Sequence, residues 1–412
     1  MTNKDYLRDA FLRYTKISSQ SVRHGEGLPT SEGQQQMVMH LKNELHDMGV
    51  TDADLHSNGI LIAKIQGNTD APAISFMSHV DTVDIGASPD VHAHIVQFTG
   101  DDFYLDKDQK IQFKVDDYPT IKAYKGDEIF VTDGSSVLGS DDKAGVVVMM
   151  GLARYLTSNN VKHGDVYLVF VPDEEIGLKG AKALDIRELP VKFSYTIDCS
   201  DGIGSFSYET FNAAEANIII KGVSIHPGRA YHILVNPVLV ANDIIESFSD
   251  KDTPEYTKDY EGYYYFYSIE ANPMEAKLNL NIRDFDLKKF EKRKEHVLDI
   301  IAKIQKKHPK AEITVDMYDV YANIANYLSQ DKKPIELVEK SLANLGIDIQ
   351  RAPLRGGTDG SVLSAKGLMT PNIFTGGYNV HSIFEYLPLA ALEKSLDNTI
   401  EMVRILGEGE LK

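Results

Sequence analysis

The sequence predicts an α/β protein with a mostly parallel sheet and a smaller α+β domain inserted into it. Up to about residue 200, strand-like and helix-like segments alternate, which is typical of helices packed on a parallel sheet. Residues 331–412 return to this α/β pattern. Residues 209–320 differ, because apolar and polar positions alternate there as in half-buried antiparallel strands. We therefore expect a discontinuous larger domain, residues 1–208 and 321–412, around an insert of residues 209–320.

The larger domain begins with two amphipathic helices. Apolar residues at helical spacing mark the first of them: Tyr6, Leu7, Phe11 and Tyr14. The second is SEGQQQMVMHLKNELHDMG, with Ser31 as a candidate N-cap and Gly49 as the stop.

The central elements are predicted strands and one long helix. The strands are GILIAKIQG, APAISFMSHVDTV, VYLVFVPDEE and KFSYTIDCS, and the helix is KAGVVVMMGLARYLTSN. Between them, residues 88–135 are turn-rich and charged. We interpret that segment as a surface excursion with short antiparallel strands.

The insert and the closing segment complete the predicted elements. In the insert, AAEANIIIKG, EAKLNLNIRDFD and AEITVDMYDVY predict strands, and VNPVLVANDIIESF and DFDLKKFEKRKEHVLDIIAKIQKKHP predict helices. The chain then continues through the helix KKPIELVEKSLANLG, the loop RGGTDGS and a closing helix.

Composition and charge restrict the function. The 412 residues are 42% hydrophobic and 25% charged, as in a soluble globular protein. The formal net charge of −18 disfavours binding to nucleic acid or to an anionic membrane, and suits a cationic ligand or bound metal. Cys199 is the only cysteine, so no intrachain disulfide forms. With no secretory signal at the N-terminus and no apolar stretch long enough to span a bilayer, we expect a cytoplasmic protein.

Three successive acidic residues follow a predicted buried strand and need solvent or a cation nearby. Asp173, Glu174 and Glu175 follow the apolar run VYLVFV, where neighbouring carboxylates repel one another unless they reach solvent or a cation. His79 and Asp81 lie at i and i+2 after another strand, where both side chains point to one face. A carboxylate beside a metal-bound histidine fixes its tautomer, although the pair taken alone better fits a structural histidine and a turn aspartate.

The remaining candidates are also ambiguous one at a time. Asp141 and Asp142 enter the VVVMM helix, and either is a helix cap or a ligand. Asp198 ends a strand, and His381 follows a glycine pair in a loop. The joint pattern is more informative, because ligands gather at the carboxyl ends of strands in open α/β sheets. Two histidines with three carboxylates suit zinc, cobalt or manganese at a catalytic site.

With these motifs in place, the chain resembles the M20 metallopeptidase family along nearly its whole length. The matching segments are SHVDTV, GSDDKAG, PDEEIG, YTIDC, IHPGRAYHILVNP, NLNIRDFD, RGGTDGS and FTGGYNVHSIFEY. Cys199 and Ser140 stand where the most similar branch often has Gly and Ala. The resemblance implies a zinc-exopeptidase-like catalytic domain with an inserted ferredoxin-like lid or dimerisation domain. It also implies an aminopeptidase that cleaves tripeptides, either monomeric or dimeric through the insert.

The resemblance further implies two zinc ions, for which cobalt or manganese can substitute. His79 and Asp198 would hold one ion, Glu175 and His381 the other, and Asp141 would bridge them.

It also implies roles for residues that do not bind metal. Asp81 would orient His79, Glu174 would be the general base, and His226 of the insert would stabilise the oxyanion. The alternative for His226 is a surface histidine at a strand end. His92 and His94 are interpreted as structural.

Substrate-binding roles are expected for Arg283, Arg355 and Asn236. The two guanidiniums suit the terminal carboxylate of a peptide, which favours planar bidentate donors. The alternative is an internal ion pair with one of three aspartates: Asp284, Asp286 or Asp359.

Two rival functions remain. The first is a deacylase or carboxypeptidase with the same metal chemistry, which a comparison of free with N-acylated substrates separates from the aminopeptidase. The second is a non-catalytic protein that binds Ca²⁺ or Mg²⁺, against which the histidines argue, since those cations prefer oxygen ligands.

Overall fold

The computed structural model describes residues 2–200, 202–328 and 331–411. Within these ranges the helices are α1 (Asn3–Tyr14), α2 (Glu32–Asp47), α3 (Ser140–Ser158), α4 (Lys179–Ala183), α5 (Pro237–Ile245), α6 (Leu287–Lys307), α7 (Lys333–Asn344), α8 (Asp359–Ala365) and α9 (Leu389–Gly407). Among these residues no helix is long and apolar enough to cross a membrane.

The strands of the same ranges are β1 (Ala53–Leu55), β2 (Leu61–Ile65), β3 (Ile74–His79), β4 (His94–Gln97), β5 (Phe103–Tyr104), β6 (Gln112–Phe113), β7 (Glu128–Val131), β8 (Val166–Val171), β9 (Phe193–Cys199), β10 (Ser205–Ser207), β11 (Asn212–Lys221), β12 (Tyr263–Ala271), β13 (Glu275–Asp284), β14 (Glu312–Tyr321), β15 (Gln350–Arg351), β16 (Asn372–Phe374) and β17 (Tyr386–Pro388).

The chain forms two compact units. The first consists of Met1–Tyr208, Tyr327–Ala352 and Thr358–Lys412, and the second of Glu209–Asn326 and Pro353–Gly357. The short return of residues 353–357 to the second unit has no counterpart in the predicted boundaries.

The first unit has the predicted α/β architecture, built on an eight-stranded sheet of order β1-β2-β8-β3-β9-β16-β10-β15. Its centre is parallel, from β8 through β3 and β9 to β16. The margins also contain antiparallel pairs, between β1, β2 and β8 and between β16 and β10. The sheet is therefore mixed, and parallel where strands alternate with helices in sequence.

Apolar faces account for the packing of the first unit. The predicted face of α1 is buried, and α1 and α9 pack on α3, which in turn contacts β3 and β9. In α2, Ser31 occupies the N-cap position, but its side chain makes no capping hydrogen bond and Gln34 Nε2 donates to it instead. The excursion of residues 88–135 forms the antiparallel strands β4 to β7, as expected, but it also encloses aromatic residues of its own and is more than a surface loop.

The second unit follows the order β11-α5-β12-β13-α6-β14, with an antiparallel sheet of order β12-β13-β11-β14. This is the split βαβ pattern of ferredoxin-like folds. Alternate residues of β11 and β13 are buried against α5 and α6, as period-two alternation requires.

Candidate active site

The predicted site residues lie at one edge of the central sheet. Strands β8, β3 and β9 are adjacent and parallel, so their carboxyl ends meet at the same edge. His79 is the last residue of β3, and Asp198 is the penultimate residue of β9. Glu174 and Glu175 follow β8, which ends at Val171. The sheet thus brings together groups that are far apart in sequence.

Asp141 lies between two imidazoles. His79 Nε2 is 2.9 Å from Asp141 Oδ1, and His381 Nε2 is 3.1 Å from Asp141 Oδ2. His381 Nε2 is also 2.9 Å from Glu175 Oε1, and His79 Nε2 is 3.9 Å from Asp198 Oδ1. The five side chains form one continuous cluster with Asp141 at its centre.

Asp81 connects His79 to the glutamate pair. Its carboxylate is fully buried and lies 3.3 Å from His79 Nδ1, while its backbone oxygen lies 3.0 Å from the same atom. Both surroundings suit a proton on Nδ1, which leaves Nε2 free to act as a ligand. The carboxylate also accepts hydrogen bonds from Glu174 N at 2.9 Å and Glu175 N at 3.2 Å. The sequence predicted the contact with His79 but not these two.

The three successive acidic residues have separate surroundings. Asp173 has a left-handed backbone (φ 56°) and accepts hydrogen bonds from Thr30 N at 2.8 Å and Gln34 Nε2 at 2.7 Å. Glu175 meets His381, as described above. Burial raises the pKa of Glu174 well above its ordinary value. The turn thus separates the carboxylates by giving each its own environment.

Asp142 has protein donors on both of its oxygens. Its Oδ2 accepts from Ser78 Oγ at 2.5 Å and His79 N at 3.3 Å, and its Oδ1 accepts from Gly145 N at 3.3 Å. Asp141 and Asp142 both have non-helical backbone angles at the start of α3. The bond to Gly145, three residues on, is of the N-cap type. The carboxylate of Asp142 is therefore bonded within the protein, while the side chain of Asp141 is directed to the histidines.

Carboxylates outnumber imidazoles in this cluster. The carboxylates of Asp141 and Glu175 raise the pKa of His381 to about 11. Burial by itself would lower the pKa of His79, but Asp141 and Asp81 raise it well above its ordinary value. Burial, with the charge of Asp141, raises the pKa of Asp198. The excess of carboxylates over imidazoles in this cluster suits a cationic ligand.

The cluster fits divalent metal ions. Two groups have ligand atoms within 4.8 Å of one another, His79–Asp142–Asp198 and His79–Asp141–Glu175. Glu175 Oε1 is buried and, among the described residues, makes no hydrogen bond of good geometry despite its short distance to His381. Such an oxygen is available to a cation. The nitrogen and oxygen donors match the preferences of zinc, cobalt and manganese.

Two buried carboxylates near the cluster were not identified from the sequence. Glu385 is 1% exposed and accepts hydrogen bonds from the loop that leads into Asp141. Asp359, at the start of α8, is 2% exposed, and burial raises its pKa to about 7. In the sequence, Glu385 could have been noticed as an acidic residue within the otherwise apolar segment FEYLP.

His226 and Asn236 belong to the second unit. His226 is exposed, and its Nδ1 accepts a hydrogen bond from Gly228 N at 3.1 Å. Asn236 is the N-cap of α5, where its side chain accepts from Val238 N at 3.1 Å. Asn236 thus has a structural role within its own unit, which the sequence did not predict.

The two arginines donate to backbone carbonyls and do not form the ion pairs with aspartates that were the alternative to substrate binding. Arg283 donates to the carbonyls of Ala214 and Ile282, and its guanidinium lies over the ring of Tyr321. Asp284 pairs instead with Arg293, at 2.8 Å.

Arg355 is held in a similar way. It donates to the carbonyls of Asp259 and Glu261, and it lies over the rings of Phe211 and Tyr263. With its bond to the hydroxyl of Thr257, these contacts use three of the five N–H groups of the guanidinium.

His92 and His94, interpreted as structural, line a cleft in the first unit apart from the cluster. His92 Nδ1 lies 3.1 Å from Asp133 Oδ2, and both side chains reach solvent. Neither histidine is in a group of ligand atoms among the described residues.

Comparison with known families gives two matches. The model of the peptidase family M20/M25/M40 matches residues 139–404, and that of peptidase family M28 matches residues 61–212. The first covers more than half of the chain and includes the segments that carry Asp141, the glutamate pair, Asp198 and His381.

Individual relatives cover almost all of the chain. It is 46% identical over 396 residues to a peptidase T-like protein of Yersinia pestis, covering 96% of each protein. It is 37% identical over 406 residues to peptidase T of Clostridium botulinum, covering 98% of this chain and 99% of the relative. The crystal structure of a tripeptidase from Staphylococcus aureus has a TM-score of 0.78 at 19% identity, covering 99% of this chain and 100% of that one.

Proposed function

Because the chain belongs to the peptidase family M20/M25/M40, we propose that it is a dinuclear zinc aminopeptidase that releases the N-terminal residue of tripeptides. The observation that carries the proposal is the cluster around Asp141, in which two imidazoles and two further carboxylates converge at the carboxyl ends of parallel strands. The names of the relatives, peptidase T and tripeptidase, supply the substrate class. The single cysteine agrees with a cytoplasmic location.

In this proposal the metal ligands divide into two sets. His79 and Asp198 hold one ion, Glu175 and His381 hold the other, and Asp141 bridges them. The distances support this division, since Asp141 offers one oxygen to each histidine. Asp142 is left out of both sets because protein donors already occupy its oxygens. Cobalt or manganese would suit the same donors.

Bound zinc would supply Lewis-acid activation of a water and of the scissile carbonyl. Glu174 would take a proton from the attacking water and pass it to the amide nitrogen as the C–N bond breaks. This role needs surroundings that oppose the lowering of the Glu174 pKa by the dications, and burial of the side chain acts in that direction. Asp81 would hold Glu174 and Glu175 in place through their backbone amides, and would orient His79.

Four further residues have proposed roles in substrate recognition: His226, Arg283, Arg355 and Asn236. His226, exposed and lightly bonded, would stabilise the developing oxyanion. Arg283 and Arg355 would bind the terminal carboxylate of the peptide, and Arg355 retains N–H groups for it beyond its three described bonds. Asn236 would contribute a further polar contact beside its capping role.

The function is tested with purified, zinc-loaded protein and four matched substrates: trialanine, N-acetyl-trialanine, dialanine and N-acetyl-alanine. We expect release of free alanine from trialanine, and at least a tenfold lower kcat/KM for the other three, a difference of about 1.4 kcal/mol in transition-state binding. Preferential hydrolysis of N-acetyl-alanine would favour a deacylase instead. Absence of hydrolysis together with absence of bound transition metal would reject a metallopeptidase of any kind.

We also propose that two copies associate through the edge strand β12 of the second unit. Tyr265, Tyr267 and Ile269 of this strand are 44%, 41% and 54% exposed, although edge strands are ordinarily protected by charge or by a cover. Sedimentation at micromolar concentration should give a dimer, and Ile269→Lys should shift it toward monomer. Glu312→Lys on β14, the opposite edge of the same sheet, is the matched control and should leave the dimer intact. A wild-type monomer would contradict the proposal.

A further inference from the structure

Glu385 is a buried carboxylate that the proposed mechanism does not use. It lies four residues after His381, immediately before β17, and is 1% exposed. Its oxygens accept backbone hydrogen bonds from Leu138 at 2.8 Å, Gly139 at 2.9 Å, Ser140 at 2.7 Å and Asp141 at 3.2 Å. The hydroxyl of Ser140 donates a fifth, at 2.5 Å.

This arrangement is an anion-binding nest whose anion is part of the chain. Four successive backbone N–H groups converge on one carboxylate, and a buried N–H group without an acceptor is costly. Five donors that converge on one side chain fix the carboxylate and the loop to each other. The path of the loop from Leu138 to Asp141 therefore depends on Glu385, almost 250 residues further along the sequence.

The backbone around Glu385 is also held by hydrogen bonds. Glu385 N donates to Ser382 O at 3.2 Å, which closes a turn directly after His381. Tyr386, the next residue, exchanges backbone hydrogen bonds with Tyr378 at 2.9 and 3.1 Å, across the base of the His381 loop. His381 itself has a left-handed backbone (φ 60°), a conformation that persists only where its surroundings impose it.

We infer that Glu385 is a positioning residue that locks the Leu138–Asp141 loop against the His381 loop, so that Asp141 and His381 are correctly spaced for metal before metal arrives. The inference rests on the proposed metal site. Its geometric basis is that Glu385 binds the backbone of Asp141, while His381 Nε2 lies 3.1 Å from the Asp141 side chain.

The test measures zinc affinity by competition with a chromophoric chelator. Glu385→Gln keeps the size of the side chain but replaces one acceptor oxygen with a donor group facing the same N–H groups. We expect zinc to bind about 10- to 100-fold more weakly, the range found when a partner supporting a metal ligand is removed. Asp127→Asn is the matched control, because Asp127 accepts from Glu128 N and Ala390 N nearby but does not contact the site loops. It should leave the zinc affinity within twofold of wild type.

Glu385→Ala tests the nest directly. Formate carries the missing carboxylate and should restore most of the lost zinc affinity, whereas formamide, its neutral isostere, should not. Wild-type protein in the same formate buffer sets the baseline, since formate itself binds zinc. If the alanine variant fails to fold by circular dichroism, the glutamine variant carries the test alone.

Three results would each contradict the inference or the proposed function on which it rests. Wild-type zinc affinity in Glu385→Gln would overturn the inference. So would a loss in the folded alanine variant that formate does not reverse, because that pattern indicates general loosening of the structure. Wild-type protein that binds no zinc would instead reject the proposed function, and the inference with it.

Discussion

Glu174→Gln is expected to lower kcat for tripeptide hydrolysis by about 10²- to 10⁴-fold, the usual contribution of a general acid–base group. The amide cannot take a proton from water at neutral pH, and it has nearly the shape of the carboxylate it replaces. The backbone N–H of Glu174 should still donate to Asp81, because that bond does not involve the side chain. Metal content and KM should therefore change little.

The measurement is steady-state kinetics together with elemental analysis of the same sample. Glu188→Gln is a suitable control, since it removes a half-exposed carboxylate from the same unit, where it pairs with His56. Activity of Glu174→Gln within tenfold of wild type would contradict the assignment of the base. Loss of metal along with activity would assign Glu174 to the ligands instead.

Asp141→Asn is expected to abolish activity by removing the bridge. One oxygen of Asp141 meets each imidazole, so the neutral amide weakens both proposed ion positions at once. We expect zinc affinity to fall by more than about 100-fold, beyond the range for a residue that merely supports a ligand. Isothermal titration with zinc and the metal content after dialysis measure the loss.

Asp142→Asn is the matched control, the same substitution one position along. Its carboxylate accepts from Ser78, His79 and Gly145, so the amide should cost stability, about 1–3 kcal/mol in the free energy of unfolding, and leave zinc stoichiometry unchanged. The reverse pattern, with metal retained in Asp141→Asn and lost in Asp142→Asn, would exchange the roles of the two residues. It would then favour the ligand group His79–Asp142–Asp198.

Periodicity predicted the fold well because it reports burial directly. The apolar runs of β3, β8 and β9 are buried on both faces, as strands in the centre of a parallel sheet must be, and the alternating runs became the antiparallel sheet of the second unit. Periodicity does not encode strand partners. The antiparallel margins of the large sheet, and the return of residues 353–357 to the second unit, depend on contacts distant in sequence.

At the candidate site, too, some residues could be predicted from the sequence and others could not. His79 and Asp198 became candidates only together with the other residues at strand ends, because the ends of parallel strands share an edge. Glu385 was not recognisable, since its partners are backbone N–H groups that have no identity in the sequence. For Asp141 and Asp142 the sequence left cap and ligand open, and the backbone angles at the start of α3 direct the two side chains differently.

The discontinuity of the second unit bears on how it can be handled as a fragment. Its contiguous part ends at Asn326, while the guanidinium that lies over the rings of Phe211 and Tyr263 comes from Arg355. A gene fragment for residues 209–326 would encode the whole four-stranded sheet and both helices, yet leave the carbonyls of Asp259 and Glu261 without their donor. Adding residues 353–357 back, by a linker or by rearranging the chain order, would restore this donor.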